Sequence, residues 1–215
     1  MTLLVIETGF AALSVALIDG GEVVAEHHEV VGRGHAEKLM PSIAGLLTGR
    51  APPLAILVDA GPGSYTGLRV GIAAARALGL AWQVDVTATT STALLAAGAF
   101  GRNPALTAVI AVLDAGRGQV YAETIAADWS SDDAVRVLAP ADLAARLPRD
   151  AVLTGSGAVL VRAFGKFAVV AGDYPRAADA RWLPAARRQA DPTPRYLDPT
   201  AVPAPQPELP VPTPA

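Results

Sequence analysis

The stretch Leu57–Trp82, LVDAGPGSYTGLRVGIAAARALGLAW, constrains the fold more than any other part of the chain. An apolar run, Leu54 to Val58, ends at Asp59, and a Gly/Pro turn leads into a segment rich in Ala and Leu. Strand, tight turn and helix in immediate succession form a unit in which the loop commonly carries function. Gly61, Pro62 and Gly63 define a turn that few other residues adopt. Ser64 or Thr66 is suited to capping the helix, because a hydroxyl oxygen can accept an otherwise unpaired N–H. Within the helix, Gly67, Gly71, Ala74 and Leu78 form one stripe, and Leu68, Ile72, Ala75 and Gly79 the next. Each interior glycine costs about 1 kcal/mol relative to alanine, a cost usually offset by close packing of another backbone. The neighbour is either the chain's own sheet or a helix of another chain, and the spacing alone leaves both open.

Known phosphate and nucleophile loops do not fit this turn. A Walker A loop needs Gly-x4-Gly-Lys-Ser/Thr, whereas here Gly67 leads into Leu68-Arg69. A dinucleotide fingerprint would use Gly61 and Gly63, but its third glycine slot holds Thr66; Asp85, nineteen residues on, imitates the ribose-binding acid. A nucleophile elbow at Ser64 would need glycines where Pro62 and Thr66 stand.

Charge and composition exclude further classes. The net charge of −3 gives no basic field to attract nucleic acid to the isolated chain. The absence of cysteine excludes disulfides, thiol catalysis and Cys-based zinc sites. MTLLVIETGF has no cationic segment or long apolar core, so it does not read as a signal peptide, and no apolar run approaches bilayer length. The expected compartment is the cytoplasm, with no membrane contact.

Taken in order, Leu3–Glu7, Ala12–Ile18 and Glu22–Val30 read as strands, with Asp19-Gly20-Gly21 turning the last two into a hairpin. His35–Leu47 reads as a helix bent at Pro41, with Ala36, Leu39, Met40, Ile43, Leu46 and Leu47 on its apolar face. Thr87–Phe100 begins with capping hydroxyls and continues as a short apolar helix. Gly101–Pro104 marks a boundary between an N-terminal unit, 1–101, and a second unit, 102–200. In the second, Ala108–Leu113 and the stretch returning to Glu123 form a hairpin, Pro140–Leu147 a helix and Ala151–Leu153 a strand. The glycines of Gly155-Ser156-Gly157 leave room for a phosphate near their N–H groups, with no lysine nearby. Ala177–Gln189 reads as a final helix interrupted at Pro184. Residues 201–215 are a Pro-rich tail expected to be disordered, and no internal repeat stands out. Periodicity supports an α/β fold and no finer class.

Positions 61–71, GPGSYTGLRVG, resemble the signature of the TsaB (YeaZ) family, which belongs to the bacterial machinery forming threonylcarbamoyladenosine in tRNA. Three further stretches are similar to the family: HAEKLMP from His35, the hairpin from Asp114 to Glu123, and Pro194-Arg-Tyr-Leu197. The resemblance implies an actin-like, ribonuclease H-like (ASKHA) fold of two subdomains. Three positions depart from the pattern: Glu7 where Asp is usual, Gly116 (with Arg117 one later) in an Arg slot, and Asp198 in another.

The related transferase subunit TsaD presents His-x-Glu-x-His on the comparable helix; here His35 is followed by Glu37 and then Leu39. His27 and His28 point to opposite sides of a strand, so the three histidines do not compose a metal site, and neither a catalytic nor a metal residue is expected. Glu7 is read as a strand-end hydrogen-bonding residue rather than a metal ligand.

What the resemblance implies is a non-catalytic scaffold that forms a homodimer and supports a TsaD-like subunit. A TsaE-like ATPase belongs to the same system, tRNA is met only through the complex, and ATP or ADP binds only at a partner junction. Gly67, Gly71 and Ala75, flanked by Leu68 and Ile72, are expected to pack on Leu39 and Ile43 of a second chain. The turn itself, Gly61, Pro62, Gly63, Ser64, Thr66 and Arg69, is the family's marker. The competing reading is a stand-alone enzyme, either a dinucleotide-binding oxidoreductase or a serine-type hydrolase or peptidase using Ser64.

Overall fold

The computed structural model describes residues 1–131, 134–170 and 172–197. The Pro-rich tail and Asp198 lie outside the described residues. The first half begins with β1 (Leu3–Glu7), β2 (Ala12–Asp19) and β3 (Glu22–Val30), followed by α1 (His35–Leu47), β4 (Ala55–Asp59), α2 (Tyr65–Trp82), β5 (Asp85–Thr89) and α3 (Ser91–Arg102). Its five strands lie in the order β3-β2-β1-β4-β5. The first three are antiparallel, and β4 and β5 run parallel to β1.

Alternation along β1 explains why two layers cover this sheet. Leu4 and Ile6 point to one face, where they meet Leu39 and Ile43 of α1 and Ile72 and Ala75 of α2. Leu3 and Val5 point to the other, against Ala93, Leu94 and Ala97 of α3. A strand buried on both faces reads as a continuous apolar run, as β1 does. At the sheet edge, β3 alternates exposed and half-buried residues instead.

The second half contains β6 (Ala108–Gly116), β7 (Gln119–Ala126), β8 (Arg136–Leu138), α4 (Pro140–Arg146), β9 (Val152–Thr154), α5 (Ala158–Arg162) and β10 (Ala168–Val169). Its order, β8-β7-β6-β9-β10, reproduces that of the first sheet, with β6 in the place of β1. Two such halves make the actin-like architecture. The repetition is topological: the helices of the second half and its strands β8, β9 and β10 are shorter than their counterparts.

Three sequence expectations need correction. A fifth strand, β5, precedes α3 in the stretch assigned to helix capping; Asp-Val-Thr-Ala-Thr is mixed in polarity and half-exposed until Ala88. The last helix is two short 3-10 turns, Ala177–Trp182 and Ala185–Arg188. Pro184 stops the first, since Leu183 before it is extended at φ −68° and ψ 134°. The segment from Ala177 onwards, assigned to the second unit, packs on the first sheet: Ala177, Ala180 and Leu183 join Leu3, Val5 and Ala16. It continues through an antiparallel bridge between Ala190 and Ala88 to a bond from Arg195 N–H to the Ala60 carbonyl, 2.7 Å. Among the described residues, no helix is long and apolar enough to cross a membrane.

Candidate functional site

The signature turn is locked to the first hairpin of the chain. Asp59 ends β4, and its Oδ1 accepts the Gly61 N–H at 3.0 Å. Gly61, with φ 114°, lies in a region that favours glycine, and the Gly61–Pro62 bond is cis. Ser91 Oγ, at the start of α3, lies 2.7 Å from both Asp59 Oδ2 and the Pro62 carbonyl. Ser64 N–H donates to the Gly9 carbonyl at 2.7 Å, and Ser64 Oγ caps α2 by accepting the Gly67 N–H at 3.0 Å. Thr8 Oγ in turn donates to the Gly67 carbonyl at 2.8 Å.

These contacts decide which side of α2 the glycines face. A Cβ on Gly67 would overlap the Thr8 carbonyl oxygen, and one on Gly71 would overlap the Thr8 hydroxyl. The close neighbour is therefore the chain's own Thr8, directly after β1. Leu68, Ile72 and Ala75 are buried within the chain, as are Leu39 and Ile43 of α1. The expectation that these seven residues form a surface for a second chain is corrected: all lie in the first half's interior. Thr66 and Arg69 remain exposed, whereas Gly61 and Pro62 are buried and Gly63 is half-buried. The outward residues of the two helices include Ala36, Met40 and Ala44 on α1, and Ala73, Ala77 and Leu80 on α2, beside the exposed Glu37, Lys38, Arg69 and Arg76. Leu80 is 83% exposed and Met40 46%.

At the N-terminal end of that outward side, Arg69 Nε donates to the Tyr196 hydroxyl at 2.8 Å. The Arg69 guanidinium lies 3.9 Å from the Tyr65 ring centre, and Tyr65 stacks on Tyr196 at 5.0 Å. Two motifs far apart in sequence thus meet, fastening the end of the described chain to α2.

Beside the turn opens a cleft of about 830 Å³ between the halves, lined by Gly9, Phe10, Arg33, His35, Ser64, Thr66, Asp114, Ser156 and Tyr174 among others. His35 Nε2 lies 3.3 Å from the Ala12 carbonyl, and the slot of a second metal histidine holds Leu39, which is buried. Among the described residues no three histidine or acidic side chains gather as a metal site. The Gly155-Ser156-Gly157 loop packs on β6: Gly157 N–H donates to the Val112 carbonyl at 3.0 Å. That N–H is therefore taken and not open to a phosphate. At the hairpin tip, Arg117 and Gly118 have φ of 54° and 75°, the pattern of a type I′ turn, and Arg117 is exposed beyond Gly116.

Glu7 and Asp59 are both about 1% exposed. Glu7 Oε1 accepts the Gly9 N–H at 2.8 Å, so Glu7 is a strand-end hydrogen-bonding residue, as expected. Burial, and then the neighbouring Asp59, raise its pKa well above the usual carboxyl value; burial raises that of Asp59 also. This pairing was missed in the sequence. The signal was there: Glu7-Thr-Gly9 and Asp59-Ala-Gly61 repeat an acid-x-Gly turn at the ends of two strands that prove adjacent and parallel. Asp114-Ala-Gly116 repeats it once more in the second half, with Gly116 N–H donating to Asp114 at 2.7 Å.

A family model described as "TsaD: tRNA N6-adenosine threonylcarbamoyltransferase" matches residues 22–138. The Escherichia coli tRNA threonylcarbamoyladenosine biosynthesis protein TsaB is 34% identical over 148 residues, 65% of this chain. The chain spans 63% of the length of that curated relative. Among solved structures, YeaZ from Pseudomonas aeruginosa superposes with a TM-score of 0.78 at 29% identity, covering 91% of this chain and 99% of that one. A second P. aeruginosa structure, an uncharacterized protein with similarity to peptidase YeaZ, gives 0.73 at 32% identity, over 83% and 87% of the two chains.

Proposed function

The chain belongs to the TsaB (YeaZ) family, and from that membership we propose that it serves the formation of threonylcarbamoyladenosine in tRNA as a non-catalytic subunit. In this reading it pairs with a second copy of itself and offers the same surface to a TsaD-like transferase subunit. A TsaE-like ATPase joins the assembly in the cytoplasm, and ATP or ADP is met at a subunit junction. With a net charge of −3, the chain reaches tRNA through its partner.

The observation that carries the proposal is the outward side of α1 and α2. Ala36, Met40, Ala44, Ala73, Ala77 and Leu80 are exposed there on two packed helices, a small and apolar set beside the charged Glu37, Lys38, Arg69 and Arg76. Small side chains let a second helical pair approach closely, and Met40 and Leu80 supply apolar area. A specific interface needs about 1,200–2,000 Å² in total. The oxidoreductase and hydrolase alternatives draw no support from the turn. Ser64 Oγ is engaged as a helix cap, and His35 Nε2 faces the Ala12 carbonyl rather than Ser64.

Met40→Glu combined with Leu80→Glu tests the reading. Both sites are exposed, so circular dichroism should show a folded protein with stability changed by about 0.5 kcal/mol or less per site. Light scattering should show a monomer, and binding to TsaD should be lost. Nucleoside mass spectrometry of tRNA from cells carrying the variant should show depleted threonylcarbamoyladenosine. A dimer that still supports normal modification would refute the proposed surface, and peptide hydrolysis abolished by Ser64→Ala would favour the enzyme.

A further inference from the structure

Glu7 and Asp59 stand side by side at the ends of the parallel strands β1 and β4, one step beyond the pair Ile6 and Val58. Three of their four carboxyl oxygens are accounted for by donors. Glu7 Oε1 takes the Gly9 N–H, Asp59 Oδ1 the Gly61 N–H, and Asp59 Oδ2 faces the Ser91 hydroxyl. Glu7 Oε2 is buried and has no donor. The charged group facing it is the Asp59 carboxyl. From α3 the pair meets the neutral Ser91, and from the loop after β1 it meets Gly9, whose Cβ would lie 2.7 Å from Asp59 Oδ2. Among the described residues, no lysine, arginine or histidine forms an ion pair with either acid. Two bare carboxylates in contact, sealed from water and without a cation, repel strongly. One proton between them converts that repulsion into a charge-assisted hydrogen bond and gives Glu7 Oε2 its missing partner.

We infer that Glu7 and Asp59 hold a single proton between them at neutral pH, and that this shared proton is a clasp fastening the loop after β1 to the turn before α2. Both segments wall the cleft. Glu7 holds Gly9, Asp59 holds Gly61, and the Ser64–Gly9 bond ties the same two segments from the other side. When the proton leaves, two buried negative charges face each other and the two segments part.

The sign of the pH dependence follows. Both carboxyls have pKa values raised above the ordinary carboxyl range in the folded state. The unfolded chain therefore gives up its protons first, from about pH 4 upward. From there to the clasp's own titration, the folding equilibrium falls by up to about tenfold per pH unit for the one retained proton. Glu7→Gln replaces the shared proton with a permanent amide donor while keeping an oxygen for the Gly9 N–H.

The experiment follows melting temperature from pH 5 to pH 9 in wild type and Glu7→Gln, with infrared spectroscopy of both at pH 7. The variant should gain on the wild type as pH rises, by several degrees across the range. The wild type should show a protonated carboxylic acid band at pH 7 that the variant lacks. In the wild type, the Gly9 and Gly61 amide resonances should move together with the loss of that band. If Glu7→Gln fails to fold, Asp59→Asn takes its place, since its amide can donate to Glu7, and the wild-type band is read alone. Parallel melting profiles, the absence of a protonated acid at pH 7, or glycine resonances indifferent to its loss would each overturn the inference.

Discussion

Thr8 does three things at once: its carbonyl lies against Gly67, its hydroxyl donates to the Gly67 carbonyl, and the same hydroxyl lies where a Gly71 side chain would be. Each glycine is small because this one threonine is close. The consequence is a test at a single residue. Gly71→Arg should unfold the monomer rather than split an assembly, because a long charged side chain would be driven into Thr8 and Ile6. Overpacking costs about 1–3 kcal/mol and a buried unpaired charge adds to it. Circular dichroism should show loss of the folded state; a folded variant would mean that α2 can turn its glycines outward. At this scale the sequence was partly legible. The Ser64 cap, the turn at Gly61 and the strand-end role of Glu7 could all be read locally, because each depends on neighbours within a few residues. The Glu7–Asp59 and Arg69–Tyr196 contacts could not, since they join segments far apart in the chain.

Helix α2 shows why an element can be recognised and still be misoriented. Its only charged residues are Arg69 and Arg76, so nearly every stripe along it is apolar or small. Periodicity establishes a helix and gives no strong polar face to mark the outside. The glycine stripe turned inward because Thr8, directly after β1, approaches there, which only the fold supplies. A different element, the run from Ala190 to Leu197, carries no repeating pattern, yet it bridges Ala88, bonds Ala60 and places Leu197 against Leu95 and Tyr121. Ending the chain at Gln189 removes two backbone bonds to Ala88 and one to Ala60. Each is worth about 1 kcal/mol net. Thermal denaturation of that truncation should show a clear fall in melting temperature; an unchanged value would mean that the run contributes no stability.

Over the whole molecule, α3 belongs to both halves. Every residue from Ser91 to Ala99 is buried. Leu94 and Ala97 pack on the first sheet, Leu95 on Ala111 and Leu113 of the second, and Ala96 and Ala99 on Val109 and Ile125. Thr92 also donates to the buried Glu123 across the halves. A core shared this way should melt as one unit. Far-ultraviolet circular dichroism and tryptophan fluorescence, which samples Trp82 and Trp182 against the first half and Trp129 near the junction, should give coincident midpoints. Two separate midpoints would show independent halves. The α/β class was legible from strand and helix periodicity, and the signature turn supplied the family. The sharing of parts between the halves was not, because a boundary read from Gly101–Pro104 assumes that chain order and spatial order agree.

The return of residues 177–183 to the first sheet has a consequence for the growing chain. Leu3, Val5 and Ala16 emerge from the ribosome well before Ala177, Ala180 and Leu183, which pack on them. Until then the part of that sheet face that α3 does not cover stays open to water. The folding of the amino-terminal half therefore stays incomplete over that stretch of translation, and the nascent chain presents a surface that chaperones bind and other chains can stick to. That face is closed only by a segment made long after the strands it covers.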